Sequence, residues 1–149
     1  MSTTLHDQPV SVRAKLAAGW TSFMFLYIYV DYFALYKPGY VDQLRGGSVW
    51  EFDISQGLLT VFLALVSIPA LMVVLSVALP ARPARVVNLV VAALYVPVSA
   101  FNAIGEAWTL FYGLSIGLEL VLLAYVLRAT WTWPRAAAVS LVGRDGALA

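Results

Sequence analysis

The sequence predicts an all-α integral membrane protein, a single domain in which a bundle of four transmembrane helices runs up-down-up-down. Three observations lead to this fold class. Of the 149 residues, 62% are hydrophobic and 11% are charged, whereas a soluble domain carries about 25% charged residues. Four apolar segments are each long enough to cross the roughly 30 Å hydrocarbon core of a bilayer. The basic residues are also distributed unevenly between the two sides of the predicted bundle.

The four apolar segments are the predicted transmembrane helices, because a helix satisfies its own backbone groups inside lipid. They are Leu16–Tyr36, Gly57–Leu79, Val86–Gly105 and Ala107–Leu127. Within them, only Asp31 in the first segment and Glu119 in the fourth carry a charge. We therefore expect the lipid bilayer to surround most of the chain.

The connections between the segments are short, apart from one outer loop. This loop covers residues 37–56 and opens with Pro38-Gly39, a pair of residues that is typical of turns. Pro80–Arg85 is expected to link the second and third segments, and Glu106 is expected to lie at a tight turn between the third and fourth. Residues 128–149 are expected to form a cytoplasmic tail.

The distribution of basic residues predicts the orientation of the bundle. With four spans both termini lie on one side of the membrane, and that side holds seven of the nine basic residues. These seven are Arg13, Lys15, Arg82, Arg85, Arg128, Arg135 and Arg144. The other side holds Lys37 and Arg45. Because basic residues are retained on the cytoplasmic side, we expect an inner-membrane protein with both termini in the cytoplasm.

The composition excludes several classes of function. The chain has no cysteine, so disulfide scaffolds, iron–sulfur clusters and thiolate metal sites are ruled out. A single histidine, His6, does not supply a bis-histidine haem site or a histidine-rich zinc site. A net charge of +1 gives no electrostatic basis for binding nucleic acid. No phosphate-binding loop or nucleophile elbow is present, so we expect no cofactor and no metal, and enzymatic activity is not favoured.

Polar residues recur at steps of three and four along three of the segments, which places each set on one helix face. The candidate site residues among them are Tyr27, Asp31, Tyr95, Ser99, Asn102, Tyr112 and Glu119. Because polar side chains are costly in contact with lipid, we expect these faces to meet in a polar seam inside the bundle. Neither carboxylate has a lysine or arginine at its own depth in the predicted spans.

Two interpretations of this seam stay open. Intramembrane carboxylates mark proton relays and substrate paths, so Asp31 and Glu119 are candidates for a protonatable pair in a proton relay or a proton-coupled binding site. In the other interpretation, the polar side chains only join helices by hydrogen bonds, which contribute about 0.6–2 kcal/mol per contact in membranes.

Two further features are weaker candidates. Aromatic residues around the first span are candidates for lining a ligand cavity, although helix packing and an interfacial belt are the favoured explanation. They are Phe23, Phe25, Tyr27, Tyr29, Tyr32, Phe33, Tyr36 and Tyr40. Gly113 and Gly117 form a small-residue face on the fourth span, through which membrane helices pack closely or form a homo-oligomer.

Several short stretches occur in the order and spacing of one family of small membrane proteins. They are Tyr27-Ile28-Tyr29-Val30-Asp31 with Leu35 and Pro38-Gly39, then Ile54-Ser55-Gln56-Gly57, Ile68-Pro69, Arg85 with Asn88, Glu119, and Trp131-x-Trp133. From about Lys15 to Pro134 the chain resembles a bacterial family of four-helix integral membrane proteins described as a domain of unknown function. The resemblance implies a four-span inner-membrane protein and implies no particular activity.

Three functions are compatible with this architecture. We favour a structural, accessory or regulatory membrane subunit that acts through helix packing. The first alternative is a small proton-coupled transporter or channel that uses Asp31 and Glu119. The second alternative is a quinone-linked membrane redox subunit similar to the four-span DoxX-like proteins. Without cysteine or an intramembrane histidine, such a subunit would need a partner to hold a metal or a haem.

Overall fold

The computed structural model describes residues 8–102, 104 and 107–134, which are mainly helical. The elements in chain order are α1 (Val12–Ala34), α2 (Tyr40–Arg45), β1 (Ser48–Val49), β2 (Phe52–Asp53), α3 (Gln56–Ala78), α4 (Ala81–Phe101) and α5 (Thr109–Trp131). The four long helices among them have 21 to 23 residues each. The expected turn at Glu106 and the part of the expected tail beyond Pro134 lie outside the described residues.

Within the described part of the chain, three helices are long and apolar enough to cross a membrane, namely α3, α4 and α5. These three helices mark the chain as a membrane protein. α1 has 23 residues, the same length as α3 and α5. Its sequence contains several tyrosines, a tryptophan and three charged residues, Arg13, Lys15 and Asp31, and it is not among the three helices that meet this criterion.

The core of the molecule lies between the four long helices, and large apolar side chains also cover their outer faces. α1 packs against α3 and α5, whereas α4 packs against α5 and more sparingly against α3. The core residues are Leu16, Trp20, Phe23, Met72, Ala92, Tyr95, Leu123 and Val126. Exposed apolar side chains include Phe25 of α1, Leu63 of α3 and Leu114 of α5. An apolar surface this extensive is unusual in a soluble monomer and suits contact with hydrocarbon.

Two arginines join the ends of neighbouring helices. At the start of α1, Nη1 of Arg13 donates to the carbonyl oxygens of Val77 and Leu79, each at 2.6 Å. Near the start of α4, Nε of Arg85 donates to the carbonyl oxygen of Thr130 at 3.3 Å. Since the last carbonyls of a helix have no intrahelical donor, the arginines cap α3 and α5. We call this end of the molecule, defined by Arg13 and Arg85, the arginine end.

The structure corrects the predicted link between the second and third spans. α4 begins at Ala81, so most of Pro80–Arg85 is helical rather than a connection. Pro83 is tolerated in the first turn because the N–H groups there have no intrahelical acceptor. Arg82 and Arg85 therefore belong to a helix terminus, which is why Arg85 reaches the end of α5.

Other helix limits also differ from the prediction, and α4 ends at Phe101 rather than at Gly105. α1 begins earlier, at Val12, because the Ser11 hydroxyl accepts a hydrogen bond from the backbone N–H of Ala14 at 3.2 Å. α5 extends further than predicted and reaches Trp131. Hydropathy alone missed the start of α1 and the end of α5 because the extra turns contain polar or basic residues.

The outer loop between α1 and α3 is folded rather than irregular. Gly39 has a φ of +79°, a left-handed conformation that glycine adopts without a steric penalty, and α2 begins directly after it. β1 and β2 pair antiparallel, with Ser48 opposite Asp53 and Val49 opposite Phe52. We call this side of the molecule, where α1 ends and α3 begins, the loop end.

The closest glycine-mediated contact between helices involves Gly19 and not the predicted glycine pair. A Cβ atom at Gly19 would lie 2.8 Å from Cγ2 of Val126, so the absence of a side chain lets α1 approach α5. A Cβ atom at Gly113 or Gly117 would meet no atom of the described chain within 4 Å. A homo-oligomer formed through Gly113 and Gly117 stays a prediction.

Candidate functional site

Asp31 and Glu119, the carboxylates of the long helices, line the same cavity. The cavity has a volume of about 130 Å³ and lies between α1 and α5, towards the loop end. Its lining residues are Tyr27, Val30, Asp31, Ala34, Tyr40, Asn102, Tyr112, Ser115, Ile116 and Glu119. Among these described residues there are two acidic side chains and no lysine or arginine. We call this space the acid cavity.

Glu119 forms the buried side of the acid cavity. Its face of α5 is turned towards the core, and only 2% of its surface is exposed. The Ser99 hydroxyl of α4 lies beside the carboxylate. Ser99 Oγ and Glu119 Oε2 are buried, and neither has a hydrogen-bond partner among the described residues. Because buried polar atoms are nearly always paired, this position suits a bound water or a polar ligand group.

Asp31 forms the exposed side of the acid cavity, one helical turn beyond Tyr27 on the same face of α1. The Tyr27 hydroxyl accepts a hydrogen bond from Nδ2 of Asn102 at 3.1 Å. It also lies within electrostatic reach of both Asp31 and Glu119. Tyr27 and Asn102 therefore connect α1 to the end of α4 at the rim of the cavity.

Lys37 contacts two of the tyrosines that line the acid cavity. Its Nζ atom donates to the Tyr112 hydroxyl at 3.2 Å and lies 4.9 Å from the centroid of the same ring. It also lies 5.7 Å from the centroid of the Tyr40 ring. The turn at Gly39 brings Tyr40 back over the end of α1, so these cation–π contacts hold the loop against α5.

An apolar groove adjoins the acid cavity. It has a volume of about 490 Å³ and lies between α1, α3 and α4. Its apolar lining consists of Phe62, Leu65, Val66, Pro97, Val98 and Phe101. Tyr27, Asp31 and Asn102 line both spaces, so they form the boundary between a polar and an apolar compartment. We call the apolar compartment the lateral groove, because Phe62 and Leu65 are exposed on the outer surface of the helices.

Aromatic packing closes the bundle between the acid cavity and the arginine end. Trp20, Phe23 and Tyr95 meet edge to face, with ring centroids 5.9 to 6.4 Å apart. Closer to the arginine end, Nε1 of Trp20 donates to Oδ1 of Asn88 at 2.7 Å. The Ser76 hydroxyl lies 3.1 Å from the same oxygen. These contacts join α1, α3 and α4. We call the rings of Trp20, Phe23 and Tyr95 the aromatic layer, and none of the three lines the acid cavity.

Most of the candidate residues from the polar pattern meet in one place, and two do not line the cavity. The residues that line it are Tyr27, Asp31, Asn102, Tyr112 and Glu119. Ser99 is buried next to Glu119 but does not line the cavity. The Tyr95 hydroxyl points elsewhere and donates to the carbonyl oxygen of Leu65 in α3. The polar pattern therefore identified the inward faces but did not distinguish cavity residues from residues that join helices.

Two polar lining residues, Ser115 and Tyr40, were not among the seven candidates of the polar seam, although Tyr40 belonged to the aromatic group. Ser115 lies three residues after Tyr112 and four before Glu119, so the same helical spacing contained the signal for it. Tyr40 gave no such signal, because it reaches the cavity only through the left-handed turn at Gly39. Of the aromatic group around the first span, Tyr27 and Tyr40 line the cavity. Phe23 belongs to the core.

The helices and the acid cavity define a class of protein, a helical membrane protein in which one buried and one exposed carboxylate line the same cavity. The chain belongs to a family of unknown function, DUF6326, whose model matches residues 8–138. The resemblance to a family of unknown function is thereby confirmed. Comparisons with curated proteins and with solved structures found no match.

Proposed function

We propose that the chain is a four-span inner-membrane protein that runs up-down-up-down, with both termini in the cytoplasm. The start of α1 contacts the end of α3 through Arg13, and the start of α4 contacts the end of α5 through Arg85, which supports alternating helix directions. α1 packs against α3 and α5 as a full member of the bundle. The arginine end also carries Lys15, Arg82 and Arg128, so the positive-inside rule supports a cytoplasmic location for that end.

Within this architecture we propose a proton-coupled transport function, in which the acid cavity binds protons and a small ligand from the loop end and a rearrangement of the bundle passes them on to the arginine end. The observation that carries this proposal is the meeting of Asp31 and Glu119 in one cavity whose described lining contains no basic residue. Carboxylates inside a membrane mark proton and substrate paths by default. A volume of about 130 Å³ also has room for several waters, through which protons exchange with the loop end.

The accessory role, which the sequence favoured, is the second candidate. The observation that favours it is the open surface of α5 at Gly113 and Gly117, where a partner helix has space to approach. An accessory subunit uses the buried polar groups only to hold its helices together. Replacement of Asp31 or Glu119 then affects stability and changes no proton movement.

Proton flux into liposomes separates these two functions. The purified protein is reconstituted into liposomes that contain a pH-sensitive dye, and an imposed pH gradient is applied while valinomycin and potassium hold the membrane potential. Wild type, Asp31→Asn and Glu119→Gln are compared with two matched controls in the outer loop, Asp42→Asn and Glu51→Gln. The proposal expects flux above that of empty liposomes in wild type and both controls, and its loss in the two cavity variants.

Two outcomes of this experiment would reject the proton-coupled function. If wild type gives the same flux as empty liposomes, or if Asp31→Asn and Glu119→Gln retain the wild-type flux, the proton-coupled function is wrong. A lower unfolding temperature in those two variants, without any change in flux, would then support the accessory role.

A further inference from the structure

The acid cavity and the lateral groove are two adjoining spaces of opposite chemistry. The first has two carboxylates in its lining, and the second has six apolar side chains. Tyr27, Asp31 and Asn102 belong to both linings, so a ligand that occupies both spaces passes next to these side chains. The pair of spaces therefore fits an elongated molecule with one polar and one apolar end.

The charges of the linings determine which polar end fits. Asp31 and Glu119 are the charged side chains of the acid cavity, and the described lining of the groove adds no charge besides Asp31. Lys37, the nearest basic residue of the outer loop, is directed towards the Tyr40 and Tyr112 rings. The carboxylates of Asp31 and Glu119 therefore attract a cation and repel an anion of the same size.

The groove determines the rest of the ligand. Its volume of about 490 Å³ exceeds that of the acid cavity, and it is bordered by the exposed side chains of Phe62 and Leu65. In the proposed membrane orientation these side chains face hydrocarbon. An apolar chain therefore enters the groove sideways from the bilayer, without first crossing the water at the loop end.

We infer that the ligand class of this site is a lipophilic cation, with its cationic group between Asp31 and Glu119 and its apolar chain in the lateral groove. This inference rests on the proposed function of the acid cavity as a binding site. The buried Oε2 atom of Glu119 has no partner among the described residues. It forms an ion pair with the cationic group or accepts a hydrogen bond from it. Binding of a permanent cation also displaces protons from the cavity.

Four probes of matched structure test the inference on the full-length protein in lipid nanodiscs. Decyltrimethylammonium has the cation and the chain, tetramethylammonium lacks the chain, decyl sulfate inverts the charge, and decanol is neutral. Equilibrium dialysis measures the bound probe, and empty nanodiscs give the background for partition into lipid. We expect saturable binding for decyltrimethylammonium alone, accompanied by proton release in weakly buffered solution.

Three variants assign that binding to the two spaces. Asp31→Asn and Glu119→Gln are each expected to weaken the binding of decyltrimethylammonium by about tenfold or more, because the charge loses a partner in a desolvated site. Val66→Phe reduces the space in the groove and is expected to weaken the binding of decyltrimethylammonium. Asp42→Asn and Glu51→Gln retain wild-type affinity, and circular dichroism verifies that every variant is folded.

Specific outcomes overturn the inference. It fails if decanol or decyl sulfate binds as well as decyltrimethylammonium, or if the two cavity variants bind the cation with wild-type affinity. It also fails if wild type shows no saturable binding. If one of these outcomes is found but the proton flux still depends on Asp31 and Glu119, the proposed function stands and only the ligand class is wrong.

Discussion

The Tyr95 hydroxyl donates a hydrogen bond to the carbonyl oxygen of Leu65. This carbonyl is the one that Pro69 leaves unpaired, because proline has no N–H for the acceptor four residues earlier. A side chain of α4 thus satisfies a backbone group of α3 at its internal proline. Since an unpaired backbone group is costly inside a membrane, this bond explains how α3 tolerates Pro69.

Tyr95→Phe is therefore expected to lower the free energy of unfolding by about 1–2 kcal/mol, because the Leu65 carbonyl loses its donor. Pro69→Ala restores an N–H at the position that pairs with this carbonyl. In the Pro69→Ala background, Tyr95→Phe should therefore cost much less. Thermal and denaturant unfolding in detergent measure this double-mutant cycle, and equal losses in both backgrounds would refute the pairing.

Asn88 is expected to be the most sensitive polar residue of the core. It is fully buried and bonded to Trp20, with Ser76 beside the same oxygen. Asn88→Ala leaves the indole N–H of Trp20 unpaired, whereas the Ser76 hydroxyl keeps its bond to the Met72 carbonyl oxygen. The substitution should lower the free energy of unfolding by about 1–3 kcal/mol. Asn102→Ala is the matched control, because Asn102 is exposed. The prediction is wrong if the two substitutions have the same effect on unfolding.

Substitution by alanine should lower the stability at Gly19 and leave it unchanged at Gly113. Gly19→Ala places a methyl group against Val126 in α5, and overpacking of this kind costs about 1–3 kcal/mol. Gly113→Ala meets open space within the described chain, so the monomer keeps its stability. Unfolding in detergent measures both effects. A destabilised Gly113→Ala variant, with a change in oligomeric state, would instead support the predicted homo-oligomer.

The cysteine-free sequence allows the orientation to be tested with single cysteines. Asp42→Cys lies in the outer loop, and Arg82→Cys lies at the arginine end. In intact cells a membrane-impermeant thiol reagent should label Asp42→Cys, and it should label Arg82→Cys only after the membrane is permeabilised. Labelling of Arg82→Cys in intact cells would contradict a cytoplasmic arginine end.

Much of this arrangement was predictable from local periodicity, because steps of three and four fix the face of a helix. The spacing of Tyr27 and Asp31, and of Tyr112 and Glu119, therefore placed each pair on one helix face, and both pairs line the acid cavity. The partner of Tyr95 was not predictable, because it depends on a proline in another helix. Contacts of that kind arise from tertiary packing and leave no pattern within one segment.

The helix ends show a second limit of prediction from sequence. Hydropathy detects the segment that lies in hydrocarbon, whereas a helix ends where its caps are. Arg85 looked like part of a polar link, yet it lies in the first turns of α4 and caps α5. Tyr40 likewise joined the acid cavity through a backbone turn that hydropathy does not describe.

If Asp31 and Glu119 create one water-accessible, electronegative cavity, as we propose, a single cysteine at Ser115 should react according to the charge of the reagent. Ser115 lines the acid cavity, whereas Ser76 is buried on the other side of the aromatic layer. The measurement is the rate of modification by cationic and anionic methanethiosulfonates of similar size. We expect Ser115→Cys to react faster with the cationic reagent, Asp31→Asn to reduce this preference, and Ser76→Cys to stay unreactive. Equal rates for both reagents, or no reaction at Ser115→Cys, would show that the cavity is not a water-accessible, electronegative space.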